Sequence, residues 1–250
     1  MPRMILLGVG TGVPDVDRDY THMVWAGPGG PLLIDAGGST YQHLLRAGID
    51  PCTLAGIVLT HSHADHINGL PGLLFSAYLA GRRTPWPIYG LAPTLTVAQG
   101  LVEAAYLERI VVPQVWTPIE AGAVLSLADG WQLQTALTLH SRPCLALRFA
   151  GPTGTLVYSA DTAPCETVAA LAAGADILIH EATVAEPFEA HTTPRQAGEL
   201  ALRLGIGRLI LVHYSPQWTM PEAAALAAVR ASGYTGVAEL GRAYQVVSCE

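Results

Sequence analysis

The stretch Thr60–Leu70 reads THSHADHINGL, and it decides how the rest of the chain is interpreted. It places three histidines and one aspartate within six residues: His61, His63, Asp65 and His66. The apolar segment Gly56–Leu59 precedes it, so the pattern predicts a buried strand that ends in a loop, where rigid scaffolds present functional side chains. Imidazole suits zinc, iron and similar metals, and a carboxylate adds negative charge. Four potential ligands this close together can serve two ions.

The composition favours a folded α/β protein. A chain of 250 residues suits one α/β domain or two small ones. Half of the residues are hydrophobic and only 13% are charged, so a large core is expected. The net charge of -7 disfavours a surface built mainly for nucleic-acid phosphates. This net charge does not exclude a local basic patch or phosphate binding through a metal ion.

The cysteines and the apolar runs indicate a soluble, cytoplasmic protein. The four cysteines form no CxxC pair and are interpreted as reduced: Cys52, Cys144, Cys165 and Cys249. The apolar run within residues 1–10 is too short for a signal peptide. No apolar run reaches the ~20 residues that a membrane span needs.

Short apolar runs alternate with helix-like segments along the whole chain. Helices are predicted over Thr40–Ala47, Leu70–Leu79, Thr94–Leu107, Cys165–Ala173, Thr193–Leu204 and Pro221–Ala231. Strands are predicted over Met4–Val9, His22–Trp25, Pro31–Ile34, Ile57–Thr60, Pro85–Tyr89, Val115–Ile119, Ala123–Leu127, Trp131–Leu139, Leu145–Phe149, Thr155–Ser159, Ile177–Ile179, Arg208–Val212 and Ala243–Val247. The three runs between Val115 and Leu139 suggest antiparallel strands. We expect residues 1–250 to form one domain with two β-layers inside flanking helices.

Asp35 ends one of these strands and has two possible roles. Its carboxylate can accept hydrogen bonds from loop amides and fix the neighbouring histidine loop. It can also cap the N-terminus of the helix Thr40–Ala47. The two roles are compatible. His43, inside that helix, is interpreted as structural, and His22 is left without an assigned role.

Histidines occur repeatedly at the ends of the predicted strands. Seven of the nine lie there or just beyond: His61, His63, His66, His140, His180, His191 and His213. Asp161 follows the strand Thr155–Ser159 in the same way. Strand ends do not require histidine, and the carboxyl ends of strands tend to meet at one edge of a sheet. We therefore predict one shared site.

The motif THSHADH resembles the HxHxDH signature of the metallo-β-lactamase superfamily, and the other members of that signature follow in the same order. His140 (LTLH), Asp161 (YSADT) and His213 (LVHYS) match its later positions, and Asp35 (LLIDAGG) matches its early aspartate. The chain is also similar to the ribonuclease Z branch in three stretches: residues 7–12 (LGVGTG), His180–Thr183 (HEAT) and His191–Thr193 (HTT). The resemblance implies an α/β fold of the four-layer αββα type.

The resemblance also implies a ligand set for two metal ions. His61, His63 and His140 would hold the first ion. Asp65, His66 and His213 would hold the second, and Asp161 would bridge the two. Three side chains and a shared carboxylate per ion leave positions for a metal-bridging hydroxide and the substrate. Two divalent transition-metal ions are expected, with zinc favoured and manganese or iron as alternatives.

Three residues are predicted to act in catalysis. Asp65 would orient the hydroxide, and Glu181 would hold His191 charged so that this histidine protonates the leaving oxygen. The competing interpretations are a charge at a helix edge for Glu181 and a surface loop residue for His191. His180 is interpreted as structural or as a support behind the metal ligands.

The recognition segments of a tRNA-processing ribonuclease Z are missing. Members of that branch carry a flexible basic arm between the positions of His140 and Asp161, whereas two short strands and a hairpin turn fill that interval here. We therefore predict a metal-dependent phosphodiesterase for small or nucleotide-like esters, with sulfate esters as possible second substrates. The alternatives are a tRNA 3′-processing endoribonuclease, an arylsulfatase and, less favoured, a β-lactamase or lactonase, or a metal-binding protein without catalysis.

The sequence defines the substrate-binding residues and the partners less closely than it defines the metal ligands. Five residues are candidates for a pocket and equally plausible as core: Tyr78, Tyr106, Trp116, Pro143 and Trp218. A small-molecule ester is the expected partner, nucleic acid is possible but not favoured, and no membrane association is expected. A homodimer that pairs through the helices of Leu70–Leu107 is expected from the resemblance.

Overall fold

Two seven-stranded sheets pack face to face in the computed structural model, which describes residues 2–109 and 112–248. From edge to edge, the first sheet contains β14 (Val246–Ser248), β1 (Arg3–Gly8), β2 (His22–Gly27), β3 (Gly30–Ile34), β4 (Gly56–Leu59), β5 (Trp86–Gly90) and β6 (Gln114–Pro118). The second contains β13 (Val237–Leu240), β12 (Arg208–Val212), β11 (Ile177–Glu181), β10 (Gly154–Tyr158), β9 (Leu145–Gly151), β8 (Gln132–Leu137) and β7 (Val124–Ser126).

The described residues contain seven α-helices, four in the first half of the chain and three in the second half. The first half contains α1 (Thr40–Arg46), α2 (Ala64–Ile67), α3 (Leu70–Leu79) and α4 (Ala92–Ala104). The second half contains α5 (Glu166–Ala172), α6 (Pro194–Leu204) and α7 (Glu222–Ala231). The helix α6 begins with a capping box between Thr193 and Gln196 and ends at Gly205, whose φ of 65° suits glycine.

The apolar side chains form three layers of core. One cluster lies between the sheets, where the rings of Trp25 and Phe149 stack with centroids 4.7 Å apart. A second packs the first sheet against its helices, for example Ile57 with Leu74. A third packs the second sheet against α5, α6 and α7. These clusters confirm the predicted αββα arrangement, because each sheet is covered by its partner on one face and by helices on the other.

The sheet topology brings many strand ends to one edge. Strands β3 to β6 pair in parallel, and so do β10 to β13. Parallel strands are buried on both faces, which explains their continuous apolar runs such as Gly56–Leu59. Their carboxyl ends therefore lie on the same side of each sheet and supply the loops described below.

One sequence-based prediction of strand pairing is wrong, and one strand is absent from the predictions. The run Val115–Ile119 was grouped with antiparallel strands, but β6 pairs in parallel with β5 in the first sheet, since Trp116 lies opposite Ile88. The edge strand β13 was missed because its sequence VAEL lacks a clear β pattern. It is fixed instead by tertiary context, including the ion pair between Glu239 and Arg208 at 2.7 Å.

Other predictions can be checked directly. The hairpin between His140 and Asp161 is confirmed, because β9 and β10 pair at Gly151 and Gly154 with no inserted segment. Cys52, Cys144 and Cys165 carry free thiols, and Cys249 lies outside the described residues. Among the described helices, none has the length and apolarity for a membrane span. The single domain over residues 1–250, the homodimer and the cytoplasmic location stay predictions.

Candidate metal centre and active site

The histidine loop follows β4 and is fixed by Asp35. This carboxylate is fully buried and accepts hydrogen bonds from the backbone nitrogen of Thr60 at 2.8 Å and from Nδ1 of His66 at 2.8 Å. The prediction that Asp35 fixes the loop is confirmed. The capping role is wrong, because Ser39 occupies the N-cap of α1. The packing here is tight enough to require glycine: a Cβ at Gly37 would lie 1.8 Å from the carbonyl oxygen of Asp65.

A first group of ligand-type atoms converges at the end of β4. Nδ1 of His63 lies 3.1 Å from Nε2 of His61 and 3.1 Å from Nε2 of His140. Oδ2 of Asp161 lies 3.9 Å from each of those Nε2 atoms. Four ligands placed about 2.0–2.1 Å from one ion would be separated by similar distances. The group therefore has the dimensions of a tetrahedral metal site.

A second group lies beside the first and shares Asp161. Oδ2 of Asp65 is 3.5 Å from Nε2 of His66 and 3.3 Å from Nε2 of His213. The carboxylate of Asp161 approaches the same two histidines, at 3.7 Å and 3.4 Å. All seven side chains predicted as metal ligands are thus brought together, in the two predicted groups with Asp161 between them.

Unpaired buried atoms show that these residues suit a cation. Nε2 of His66 and Oδ1 of Asp161 are buried and make no hydrogen bond. Leaving such atoms unpaired is costly unless another group binds them. Because Asp35 accepts the proton on Nδ1 of His66, the lone pair of Nε2 points at the second group. His140 is oriented in the same way by the carbonyl oxygen of Ala190, 2.9 Å from its Nδ1.

The two carboxylates of this centre remain charged. Burial raises the pKa of Asp161, but the surrounding histidines, chiefly His213 and His66, outweigh burial and hold this pKa well below the usual range. The same balance, with a hydrogen bond from His213, lowers the pKa of Asp65. Two carboxylates that stay ionised beside five imidazoles form a donor set suited to divalent transition metals.

Glu181 and His191 form the predicted pair next to this centre. Nδ1 of His191 lies 2.9 Å from Oε1 of Glu181, and the ring stacks on His213 with centroids 5.8 Å apart. Burial lowers the pKa of His191, but the hydrogen bond and charge of Glu181 outweigh it and raise the pKa. The interpretation of Glu181 as a helix-edge charge is wrong, since Glu181 is fully buried at the end of β11. His191 lies between β11 and α6, partly exposed and paired with Glu181.

Thr183 and Thr162 are structural partners that the sequence analysis did not single out. The carboxylate of Glu181 accepts hydrogen bonds from the backbone nitrogens of Thr162 and Thr183 and from Oγ1 of Thr183 at 2.7 Å. That hydroxyl also lies 2.7 Å from Nδ1 of His213. Glu181 therefore supports a metal-ligand candidate through Thr183. The sequence could have indicated Thr183, because it is the last residue of the HEAT motif.

The three remaining histidines lie outside the ligand groups. His180 is buried on the helix side of β11, with Nδ1 2.8 Å from the carbonyl oxygen of Glu181. His43 is also structural, since its Nε2 lies 3.0 Å from Oδ2 of Asp19. His22 begins β2, in agreement with the predicted strand His22–Trp25, and its side chain is fully buried.

A cleft of about 410 Å³ opens above the centre. Its floor contains His63, Asp65, Asp161, His191 and His213, and its walls contain Thr11, Gly12, Val13, Thr183, Val184, Ala185 and Trp218. Of the five candidate pocket residues, Trp218 lines this cleft. Trp116 and Tyr78 pack against the core below the first sheet, and Tyr106 and Pro143 are exposed without lining it.

Comparisons with known proteins show the family and the fold of this chain. A family model described as a β-lactamase superfamily domain matches residues 31–214. Ribonuclease Z from Methanothermobacter thermautotrophicus is 29% identical, over 96% of this chain and 95% of that protein. The metallo-β-lactamase fold protein YhfI from Bacillus subtilis has a TM-score of 0.83, with 21% identity and 98% of both chains covered. A diphosphatase from the PhnP family has a TM-score of 0.77, with 20% identity over 100% of this chain and 98% of that one.

Proposed function

This chain belongs to the β-lactamase superfamily, and we propose that it is a dinuclear-metal hydrolase that cleaves phosphodiester bonds of small or nucleotide-like substrates. The observation that carries the proposal is the position of His191. It combines a raised pKa with a place at the floor of the cleft, between the candidate ligand His213 and the buried carboxylate of Glu181. A charged imidazole there suits a substrate whose leaving oxygen needs a proton.

The metal ions would be divalent, as membership of the family implies, with zinc favoured over manganese or iron. His61, His63 and His140 would hold one ion, Asp65, His66 and His213 the other, and Asp161 would bridge them. Two such ions lower the pKa of water and stabilise the charge that develops on the attacking and leaving oxygens. The unpaired Nε2 of His66 and Oδ1 of Asp161 support this assignment.

Three side chains would direct the proton transfers. The Asp65 carboxylate, which stays ionised, lies at the floor of the cleft and would accept a hydrogen bond from the attacking water. His191 would donate the proton of its Nε2 to the leaving oxygen, while Glu181 holds Nδ1 and keeps the ring charged. A group that protonates the leaving oxygen contributes about 10²–10⁴-fold when that oxygen is a poor leaving group.

A small substrate is favoured over tRNA by the shape and charge around the cleft. The chain between His140 and Asp161 contains only the hairpin of β9 and β10, without an inserted arm. No arginine contributes to the described lining of the cleft, and the chain has no lysine. Backbone phosphates are bound chiefly through such cations. A substrate with one phosphodiester therefore fits better than a polyanion.

A tRNA-processing endoribonuclease is the second candidate, because a relative that is similar over 96% of this chain is a ribonuclease Z. The alignment with that relative spans 293 positions, whereas this chain has 250 residues, so the relative carries segments that this chain lacks. A lost recognition segment would leave the catalytic group intact and change the substrate. An arylsulfatase activity fits the same centre, since sulfate esters resemble phosphodiesters in shape.

A panel of substrates tests the proposal. Metal-loaded protein is assayed in parallel with bis-p-nitrophenyl phosphate, p-nitrophenyl sulfate, a cyclic nucleotide, a β-lactam and a pre-tRNA. We expect turnover of the phosphodiesters, weaker turnover of the sulfate ester and none of the β-lactam. Specific cleavage of pre-tRNA without turnover of any small diester would favour the endoribonuclease instead. Asp161→Ala is the inactive control, because it removes the shared carboxylate.

A further inference from the structure

Trp218 stands out among the tryptophans because it is exposed. Its side chain is 64% accessible, whereas Trp25, Trp86 and Trp131 are at most 2% accessible and Trp116 is half-buried. An indole ring has a large apolar surface, which proteins normally bury or use for binding. The indole of Trp218 lines the cleft above the candidate metal centre, together with Asp65 and His213.

The loop that carries Trp218 is tied to the residues around the centre. The backbone nitrogens of Trp218 and Thr219 donate to the carbonyl oxygen of Ser215, at 3.2 Å and 2.8 Å. The buried hydroxyl of Thr219 donates to the carbonyl oxygen of Thr183 at 2.7 Å. Thr183 in turn contacts both Glu181 and His213. The backbone that carries Trp218 is therefore tied to residues that contact the candidate reacting groups.

The wall of the cleft around this ring is apolar and uncharged. Val13 lines it too, with 47% of its side chain accessible, and Val184 and Ala185 complete this part. The charged groups lie below, on the floor, where Asp65 and Asp161 would be neutralised by the metal ions. A flat apolar surface that stands above a charged floor suits a ligand with one phosphate group and one planar ring.

We propose that Trp218 forms a stacking subsite for the aromatic group of the substrate, so that the enzyme acts on aryl or nucleoside phosphate esters. This inference rests on the proposed phosphodiesterase function and adds the substrate class. Stacking on an exposed aromatic side chain is tolerant of the base or aryl group, because each has a π-face.

The test compares phosphate esters that carry a planar ring with one that does not. Phenyl phosphate, ethyl phosphate and AMP are measured as competitive inhibitors of bis-p-nitrophenyl phosphate hydrolysis by the metal-loaded protein. We expect the wild type to prefer phenyl phosphate and AMP over ethyl phosphate. Trp218→Ala should weaken phenyl phosphate and AMP by about tenfold and leave ethyl phosphate unchanged. Trp218→Phe, which keeps a ring, should restore most of the preference.

Two controls separate this subsite from general damage and from the proposed function. Phe75→Ala removes another exposed aromatic side chain, on α3 and outside the cleft, and should change none of the three inhibition constants. If the wild type hydrolyses no diester, the proposed function fails. The subsite is then tested by quenching of tryptophan fluorescence with phenyl phosphate, which Trp218→Phe should abolish. Equal losses for phenyl and ethyl phosphate in Trp218→Ala, or quenching unchanged in Trp218→Phe, would overturn the subsite.

Discussion

Oε1 of Glu181 lies 2.9 Å from Nδ1 of His191, and the carboxylate is fully buried while the imidazole opens onto the cleft. The carboxylate is saturated by hydrogen bonds from Thr162, Thr183 and His191, so it is fixed in position. This arrangement leaves one free nitrogen on His191, aimed away from Glu181. A histidine that is charged, oriented and accessible has the properties of a general acid.

The first prediction concerns substrates with different leaving groups. His191→Ala should lower kcat/KM by about 10²–10⁴-fold for a diester with an alkoxide leaving group, because that oxygen needs a proton as the bond breaks. The loss for a nitrophenyl diester should be far smaller, since nitrophenoxide leaves without protonation. Both substrates are measured with the same variant, so each serves as the control for the other. Equal losses on the two would remove the general-acid role.

The second prediction concerns pH. His191 acts in its protonated form, and Glu181 raises its pKa, so activity on alkoxide leaving groups should persist at higher pH and fall as the pH rises through that pKa. Glu181→Gln removes the charge, which lowers the pKa of His191 and shifts this fall to lower pH. The pH dependence of kcat measures the shift. Glu199→Gln, the same change on the exposed face of α6, is the control and should leave the profile unchanged. A Glu181→Gln profile identical to that of the wild type would contradict the assignment.

The third prediction concerns Asp35. Asparagine tolerates the positive φ of 61° found here and can still accept the hydrogen bond from the Thr60 nitrogen. Its amide would donate to Nδ1 of His66, which moves the proton of that ring to Nε2 and blocks the lone pair. Asp35→Asn should therefore weaken metal binding by roughly 10–100-fold, measured by competition with a chelator. Asp17→Asn, at an exposed aspartate, should have no effect. Unchanged affinity in Asp35→Asn would show that the tautomer of His66 is not set by Asp35.

The residues of the candidate site could be predicted from the sequence more completely than parts of the fold. His61, His63, Asp65 and His66 lie within six residues, so their chemistry is visible before the chain folds. His140, Asp161 and His213 could be added because each ends an apolar run, and parallel strands bring such ends together. No comparable rule reveals that Trp218 is exposed while Trp131 is buried, since that difference depends on which loops cover them.

Short elements with weak local preferences were the least predictable. The edge strand Val237–Leu240 pairs with Arg208–Leu211 through backbone hydrogen bonds, although Ala238 and Glu239 have little β propensity. The burial of His22 could not be predicted either. This residue begins a predicted strand, but its ring is buried only because the strand pairs with Gly8 in the first sheet. In both cases long-range pairing, rather than local sequence, determines the structure.

The metal content of the purified protein tests the central claim most directly. Elemental analysis should find about two divalent transition-metal ions per chain, and His66→Ala, which removes one ligand of the second group, should retain about one. The exposed-site control Asp17→Asn should keep both ions. Two ions in the wild type with one lost in His66→Ala would agree with a dinuclear centre built on Asp161. No bound metal after supplementation with zinc, manganese or iron would contradict the proposed mechanism.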